Sequence, residues 1–311
     1  MARLQESNSG LLKLAKLLLP KVRKGPWRNL SFHVFSSLGL YRAQKHDLDK
    51  AEKYYLEALR LCPDHEITAG LMSFHLADLS YERNDIKQAK SEYLFAEEIL
   101  GRHGWVKRQG DANYRLGELA WIESTSKEAE AYWQKALGLY QGENNLRGES
   151  LIHNSRGELE RIAGNYAAAE AHYRKSLDLL RPIGASFNIN LYKINLGMVL
   201  FAQQKFDKSI RTLEEAGHFF HTYDRLYLAQ CCKFSVLLSQ AALNPKKAQI
   251  DLIKETLEWF PKNNAVDKDL LWVCKIVLTL YNHSELDSIK THMAKFIDEY
   301  QNLASPPIIP Q

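Results

Sequence analysis

The chain has 311 residues, 45% of them hydrophobic and 25% charged, the balance of an ordinary globular protein. Its 16 glycines and 9 prolines are too few for collagen-like or low-complexity classes and leave room for long helices. Net charge is +4, but residues 1–31 carry +6 and the remainder −2, which argues against a nucleic-acid-binding domain outside that short leader.

In the leader, residues 9–19 read as a basic amphipathic helix ended by Pro20. It fits a cap whose leucines cover the first packed element. The alternative is contact with an anionic membrane or nucleic acid. Leu11 to Leu19, interrupted by Lys13 and Lys16, is too short and too charged to cross a bilayer, and no cleavage site follows it. No membrane span is expected, and the cytoplasm is the expected location. Cys62, Cys231, Cys232 and Cys274 show no CxxC spacing and read as reduced thiols.

From residue 32 a repeat takes over. One small residue opens the second half of each copy: Ala51, Ala89, Ala129, Ala169 and Ser209, at intervals of 38, 40, 40 and 40. Twelve residues earlier stand Gly39, Ala77, Gly117, Gly157 and Gly197; four later stand Tyr55, Tyr93, Trp133, Tyr173 and Leu213; seven later stand Ala58, Ala96, Ala136, Ser176 and Ala216. Each copy reads as a helical hairpin. Two small residues let its helices approach closely, an aromatic one turn on fills the space between them, and a second small residue admits the next hairpin. The period exceeds what two short helices need, which predicts longer helices and longer connectors, such as GRHGWVKRQG at 101–110.

After residue 220 the markers fade, although 224–242, 246–260, 267–281 and 285–303 still read as amphipathic helices. They are expected to form two degenerate hairpins, residues 221–303, closing the stack. The proline-rich tail, 304–311, is expected to fray.

These markers resemble the tetratricopeptide repeat. The first copy, Phe32 to His65, matches best, through Leu38, Gly39, Ala51, Tyr55, Ala58 and Pro63. Later copies depart from the usual period of about 34 residues and lack the terminal proline, as in repeats of bacterial signal-responsive regulators and eukaryotic polarity adaptors. The resemblance covers residues 32–220. It implies an all-α, right-handed superhelical solenoid of stacked helical hairpins, with the first helix of each hairpin lining a concave groove that binds a protein or peptide.

Carried over position by position, the inner wall would present Phe74, His75, Asp78 and Tyr81 from copy two and Tyr114, Arg115, Glu118 and Trp121 from copy three. Copy four would present Asn154, Ser155, Glu158 and Arg161, and copy five Ile194, Asn195, Met198 and Phe201. The candidate partner-binding set is Tyr81, Tyr114, Arg115, Glu118, Trp121, Asn154, Glu158, Arg161, Asn195 and Phe201. Aromatic anchors beside amide and guanidinium donors suit an extended peptide or a helix; the alternative is that some of these aromatics pack between hairpins. Chaperone adaptors of the family clamp a C-terminal carboxylate with a set of Lys, Asn and Arg. Here Ser36, Leu40, His75 and Asp111 stand at those places and Arg115 alone matches, so that role is not implied.

Phosphate-binding loops, dinucleotide fingerprints, nucleophile elbows and HExxH are absent from the sequence. His218 and His221 precede Cys231 and Cys232 at a spacing that fits no familiar zinc site. No catalytic residue, metal or cofactor is expected, and a non-catalytic scaffold is the leading reading. A ligand-sensing module of a larger signalling or transcription-control system is the alternative.

Overall fold

The computed structural model describes residues 17, 28–61, 65–263 and 265–302. The expected leader helix and tail therefore fall almost wholly outside the described residues, as does Pro63. Within them the chain is all-helical, with fourteen α-helices and no strand. These are α1 (Arg28–Ala43), α2 (Leu48–Leu61), α3 (Glu66–Glu82), α4 (Ile86–Arg102), α5 (Val106–Ile122), α6 (Ser126–Gly142) and α7 (Leu146–Ile162). They continue with α8 (Tyr166–Leu180), α9 (Ser186–Ala202), α10 (Phe206–Thr222), α11 (Leu226–Leu243), α12 (Ile250–Lys262), α13 (Lys268–Leu280) and α14 (Asp287–Tyr300).

Helices pack as consecutive hairpins, and the sequence markers sit at their contacts. A β-carbon added to Gly39 would lie 2.2 Å from the Tyr55 ring, and one on Gly157 2.6 Å from the Tyr173 ring. On Gly117 it would meet Trp133 at 2.4 Å, and on Gly197 it would meet Leu213 at 2.5 Å. The glycine is needed because the large side chain sixteen residues on lies flat against the backbone there. Ala51, Ala89, Ala129, Ala169 and Ser209 are wholly buried. Ser209 keeps its hydroxyl satisfied by donating to the Gly197 carbonyl, 2.8 Å away, and by pairing with Ser239 on α11 at 3.2 Å.

The long period comes from the longer helices expected, without the longer connectors. Connectors are not lengthened: α3 to α7, α9 and α10 are each 17 residues long, and three residues separate most neighbours. Gly101–Arg102 and Val106–Gly110 of the supposed connector are helical. From α3 to α11 every turn holds one left-handed residue, and these fall twenty apart: Asn84, Gly104, Ser124, Asn144, Gly164, Gly184, Gln204 and Asp224. The next N–H then donates back to the carbonyl five residues earlier, at 2.8–2.9 Å for Asp85, Trp105, Thr125, Asn145, Asn165, Lys205 and Arg225. This closes those seven helix ends with the Schellman pattern.

The chain divides into two compact units, residues 1–152 and 153–311, with the boundary inside α7. The second contains the degenerate hairpins. There Phe234 on α11 and Phe260 on α12 meet edge to face at 6.0 Å, and the Tyr281 hydroxyl donates to the Leu238 carbonyl. Leu226–Leu243 is long and apolar enough, by length and composition, to cross a membrane. Its Phe234, Leu237, Leu238 and Ala241 are instead buried in the core of the unit.

Candidate functional site

In the first unit, the residue after the small marker of copies two and three is a carboxylate, Asp78 or Glu118. A guanidinium sits between them. Arg115 Nη1 donates to Glu118 at 2.8 Å, and its Nε lies 3.7 Å from Asp78. Tyr114 donates to Glu118 at 2.5 Å and Tyr93 to Asp78 at 2.6 Å. Burial alone would raise the Asp78 carboxyl, but the His75 ring 3.9 Å away, the charge of Arg115 and the hydrogen bond from Tyr93 hold it below the ordinary value. Burial wins at Glu118, whose carboxyl is raised despite Arg115.

Of the predicted wall residues here, Tyr114 and Glu118 are buried, while Tyr81, Arg115 and Trp121 keep partial exposure. Trp121 meets the buried Trp133 edge to face at 6.2 Å. Arg115 is tied to a carboxylate only 2% exposed. The structure thus gives Arg115 the role of a structural cation, and its loss is felt in stability.

In the second unit the same position, forty residues on, holds Glu158. It accepts from the Tyr173 hydroxyl, and from Arg161 Nη2 at 2.6 Å and Nε at 3.0 Å. Arg161 Nη2 also donates to Asp269 on α13 at 2.6 Å, and the guanidinium stacks over Trp272 at 4.4 Å. Arg161 is 2% exposed. Desolvation would lower its pKa, but Glu158 and Asp269 more than reverse that and hold it charged. Phe201, expected on the wall, is 1% exposed and packs against Phe206. Its first-helix position points into the hairpin contact, so it supports the wall without presenting a surface.

Asn195 remains partly exposed, fixed by donating to Asn154 Oδ1 at 3.1 Å. It borders a pocket enclosing about 520 Å³, its open mouth included, lined from α9, α11 and α13. Ile194, Asn195 and Met198 of the predicted wall line it, and so do Tyr227 and Cys231 of α11 and Asp267, Asp269 and Val273 from the C-terminal hairpin. The pocket is mostly apolar, with two carboxylates at one end. Asp267 caps α13 by accepting from the Leu270 N–H at 2.8 Å, and it accepts from the Tyr227 hydroxyl. The C-terminal residues were not among the sequence candidates, because no spacing relates residue 161 to residue 269. Asp78, Glu118 and Glu158 at forty-residue intervals were the available signal.

Among the described residues no cluster of three or more His, Cys, Asp or Glu could hold a metal. Cys231, Cys232 and Cys274 are free thiols.

A family model described as tetratricopeptide repeat matches residues 33–65. No curated protein matches the chain in sequence. Solved structures match in fold. Aspartyl phosphate phosphatase F from Bacillus subtilis is 13% identical, with a TM-score of 0.72 over 96% of this chain and 79% of that one. The apo form of RapI is 13% identical, with a TM-score of 0.68 over 87% and 99%. The Rap conjugation gene regulator of plasmid pLS20, solved with a peptide, is 16% identical, with a TM-score of 0.64 over 88% and 75%. At these identities the likeness is one of fold. With a matching repeat at its head and hairpins that keep its markers to residue 220, the chain has the helical-repeat fold of the tetratricopeptide type.

Proposed function

We propose that the chain is a non-catalytic scaffold that holds a peptide or protein segment on the first-helix faces of its repeats, with no nucleic acid or cofactor involved. One observation carries the reading. In the second unit, first-helix residues Ile194, Asn195 and Met198 line an open, mostly apolar pocket, with the Asn195 amide pre-oriented by Asn154. Preformed apolar space beside a fixed amide is what an extended segment needs, one part gripping a side chain and the other its backbone. Rap-type relatives in fold include one solved with a peptide, which supports the same reading. Free thiols are consistent with work in the cytoplasm.

The test is quantitative capture from cell extract by wild type and by Asn195→Ala, followed by mass spectrometry and titration calorimetry on the captured partner. A partner that binds wild type and loses about 1–1.5 kcal/mol or more with the variant supports the reading. Equal affinity moves the interface to another face.

A second reading, a ligand-sensing module, draws on the Arg161–Asp269 bridge. Asp269 both lines the pocket and ties α13 to α7, so an occupant that engages Asp269 competes with Arg161 and loosens that tie.

A further inference from the structure

The acidic end of the pocket distinguishes it from a general apolar cleft. Glu158, Asp267 and Asp269 face a single guanidinium, Arg161, in this corner. Of the other cations on α9, α11 and α13, Lys193 pairs with Glu215 at 2.7 Å, and Lys233, Lys268 and Lys275 are exposed. Asp269 accepts from Arg161 through Oδ1 and keeps its side chain 25% exposed. The rest of the lining is long-chain apolar surface, from Leu191, Ile194, Met198, Phe234 and Val273.

We propose that this pocket takes the basic side chain, lysine or arginine, of a bound peptide, its methylene stem along Ile194, Met198 and Val273 and its cation on Asp269 and Asp267. Lysine and arginine match the site in both respects, since each carries an apolar stem ending in a charge that seeks a partly wet carboxylate. Buried carboxylates in excess of cations also leave the empty site electrostatically unfavourable, and a bound cation relieves it. In keeping with this, burial, offset only in part by Arg161, lifts the Asp269 carboxyl to about 7, and burial lifts Asp267 as well. An acidic or purely apolar side chain would deepen that cost or leave it standing.

The inference rests on the scaffold reading for its peptide, but its test does not need one. The chain has four methionines, so the methyl spectrum of methionine-labelled full-length protein is simple, and Met198, 5% exposed, sits in the pocket wall. The probes are n-pentylammonium and n-butylguanidinium chlorides, with n-pentanol, sodium pentanoate and sodium chloride as controls. Met198 should shift saturably with both cations while Met72 and Met293 stay still. Pentanol should bind at least about tenfold more weakly and pentanoate should not bind, the difference being one charge-assisted contact. Asp269→Asn should weaken the cations about tenfold with the pentanol response kept. Equal shifts with pentanol, a stronger response to pentanoate, or no response to either cation would overturn the assignment, and these comparisons need only the wild-type protein. Should the cations bind Met198's pocket and extract capture still find no partner, the scaffold reading fails and the pocket stands. The opposite pattern removes the basic-residue pocket and leaves the scaffold.

Discussion

Two guanidinium knots, one in each unit, are built on the same carboxylate position of the repeat, Glu118 and Glu158, and differ in what completes them. In the first unit Arg115 lies between Asp78 and Glu118, carboxylates of adjacent copies. In the second, Arg161 lies between Glu158 of its own copy and Asp269 of the C-terminal hairpin, 108 residues away. The first joins neighbours that the repeat would join anyway. The second binds the degenerate hairpins into the unit, and it is drier: Arg161 is 2% exposed, whereas the Arg115 side chain is 21% exposed. A repeat position can therefore be reused with one charge pattern while its energetic weight changes with solvent access.

The comparison breaks most visibly at the arginines. Arg161→Ala strands two carboxylates in a buried corner and should cost about 3–5 kcal/mol in urea denaturation. Arg115→Ala should cost less, because the Arg115 side chain is itself 21% exposed and Asp78, one of the two carboxylates left behind, is 33% exposed, although Glu118 is buried. Equal losses would mean that exposure does not separate the two knots.

Next in size is the close approach beneath the second knot. Gly157→Ala puts a methyl group 2.6 Å from the Tyr173 ring and should cost roughly 1–3 kcal/mol. Gly138→Ala meets nothing within 4 Å and should stabilise by about 0.5–1 kcal/mol, as alanine does in a helix. A melting midpoint unmoved by Gly157→Ala would remove the glycine–aromatic contact as the reason for the marker.

The knots should also answer to pH differently. Burial, opposed by Arg161, raises the folded Asp269 carboxyl to about 7, with Glu158, Asp267, Tyr173 and Cys231 also within its field. A carboxyl raised in the folded state holds its proton there after the unfolded chain has lost it. Stability therefore falls as pH climbs from the ordinary carboxylate range, about 4, to about 7, and levels off above. Asp78, held low in the first unit, works in the opposite direction and costs stability only in acid. Wild type should lose stability relative to Asp269→Asn between pH 5 and 7; a constant difference would contradict the raised value.

The smallest effect concerns turns. Gln204 is left-handed, φ 59°, and exposed, so Gln204→Gly should stabilise by about 0.5–1 kcal/mol in thermal melts. The equivalent turn at Gly164 already has its glycine, and Gly164→Gln should lose a similar amount.

The hairpins and the glycine–aromatic contacts could be read from sequence because each is a fixed offset within one copy. Ile194, Asn195 and Met198, placed by the same offsets, line the pocket. Phe201, placed likewise, does not, and first-helix position alone does not say whether a residue ends up in the hairpin contact. Connector length was misjudged for a related reason. Gly104 marks the turn within 101–110, but the polar, glycine-bearing helix ends beside it, Gly101–Arg102 and Val106–Gly110, read as loop in composition although they are helical. Asp269 and Trp272 lay beyond reach, because a contact between residues 161 and 269 has no period to betray it.

The regular turn clock has a consequence for how such a chain can change. Adding one residue inside a 17-residue helix swings everything beyond it by about 100° and carries a marker alanine off its contact. Adding a residue at a left-handed turn breaks the Schellman closure but rotates no helix face. Copying a forty-residue segment preserves both phases at once. Length variation among descendants of this chain should therefore arrive in whole hairpins, or collect at turns, with the helix interiors fixed in length.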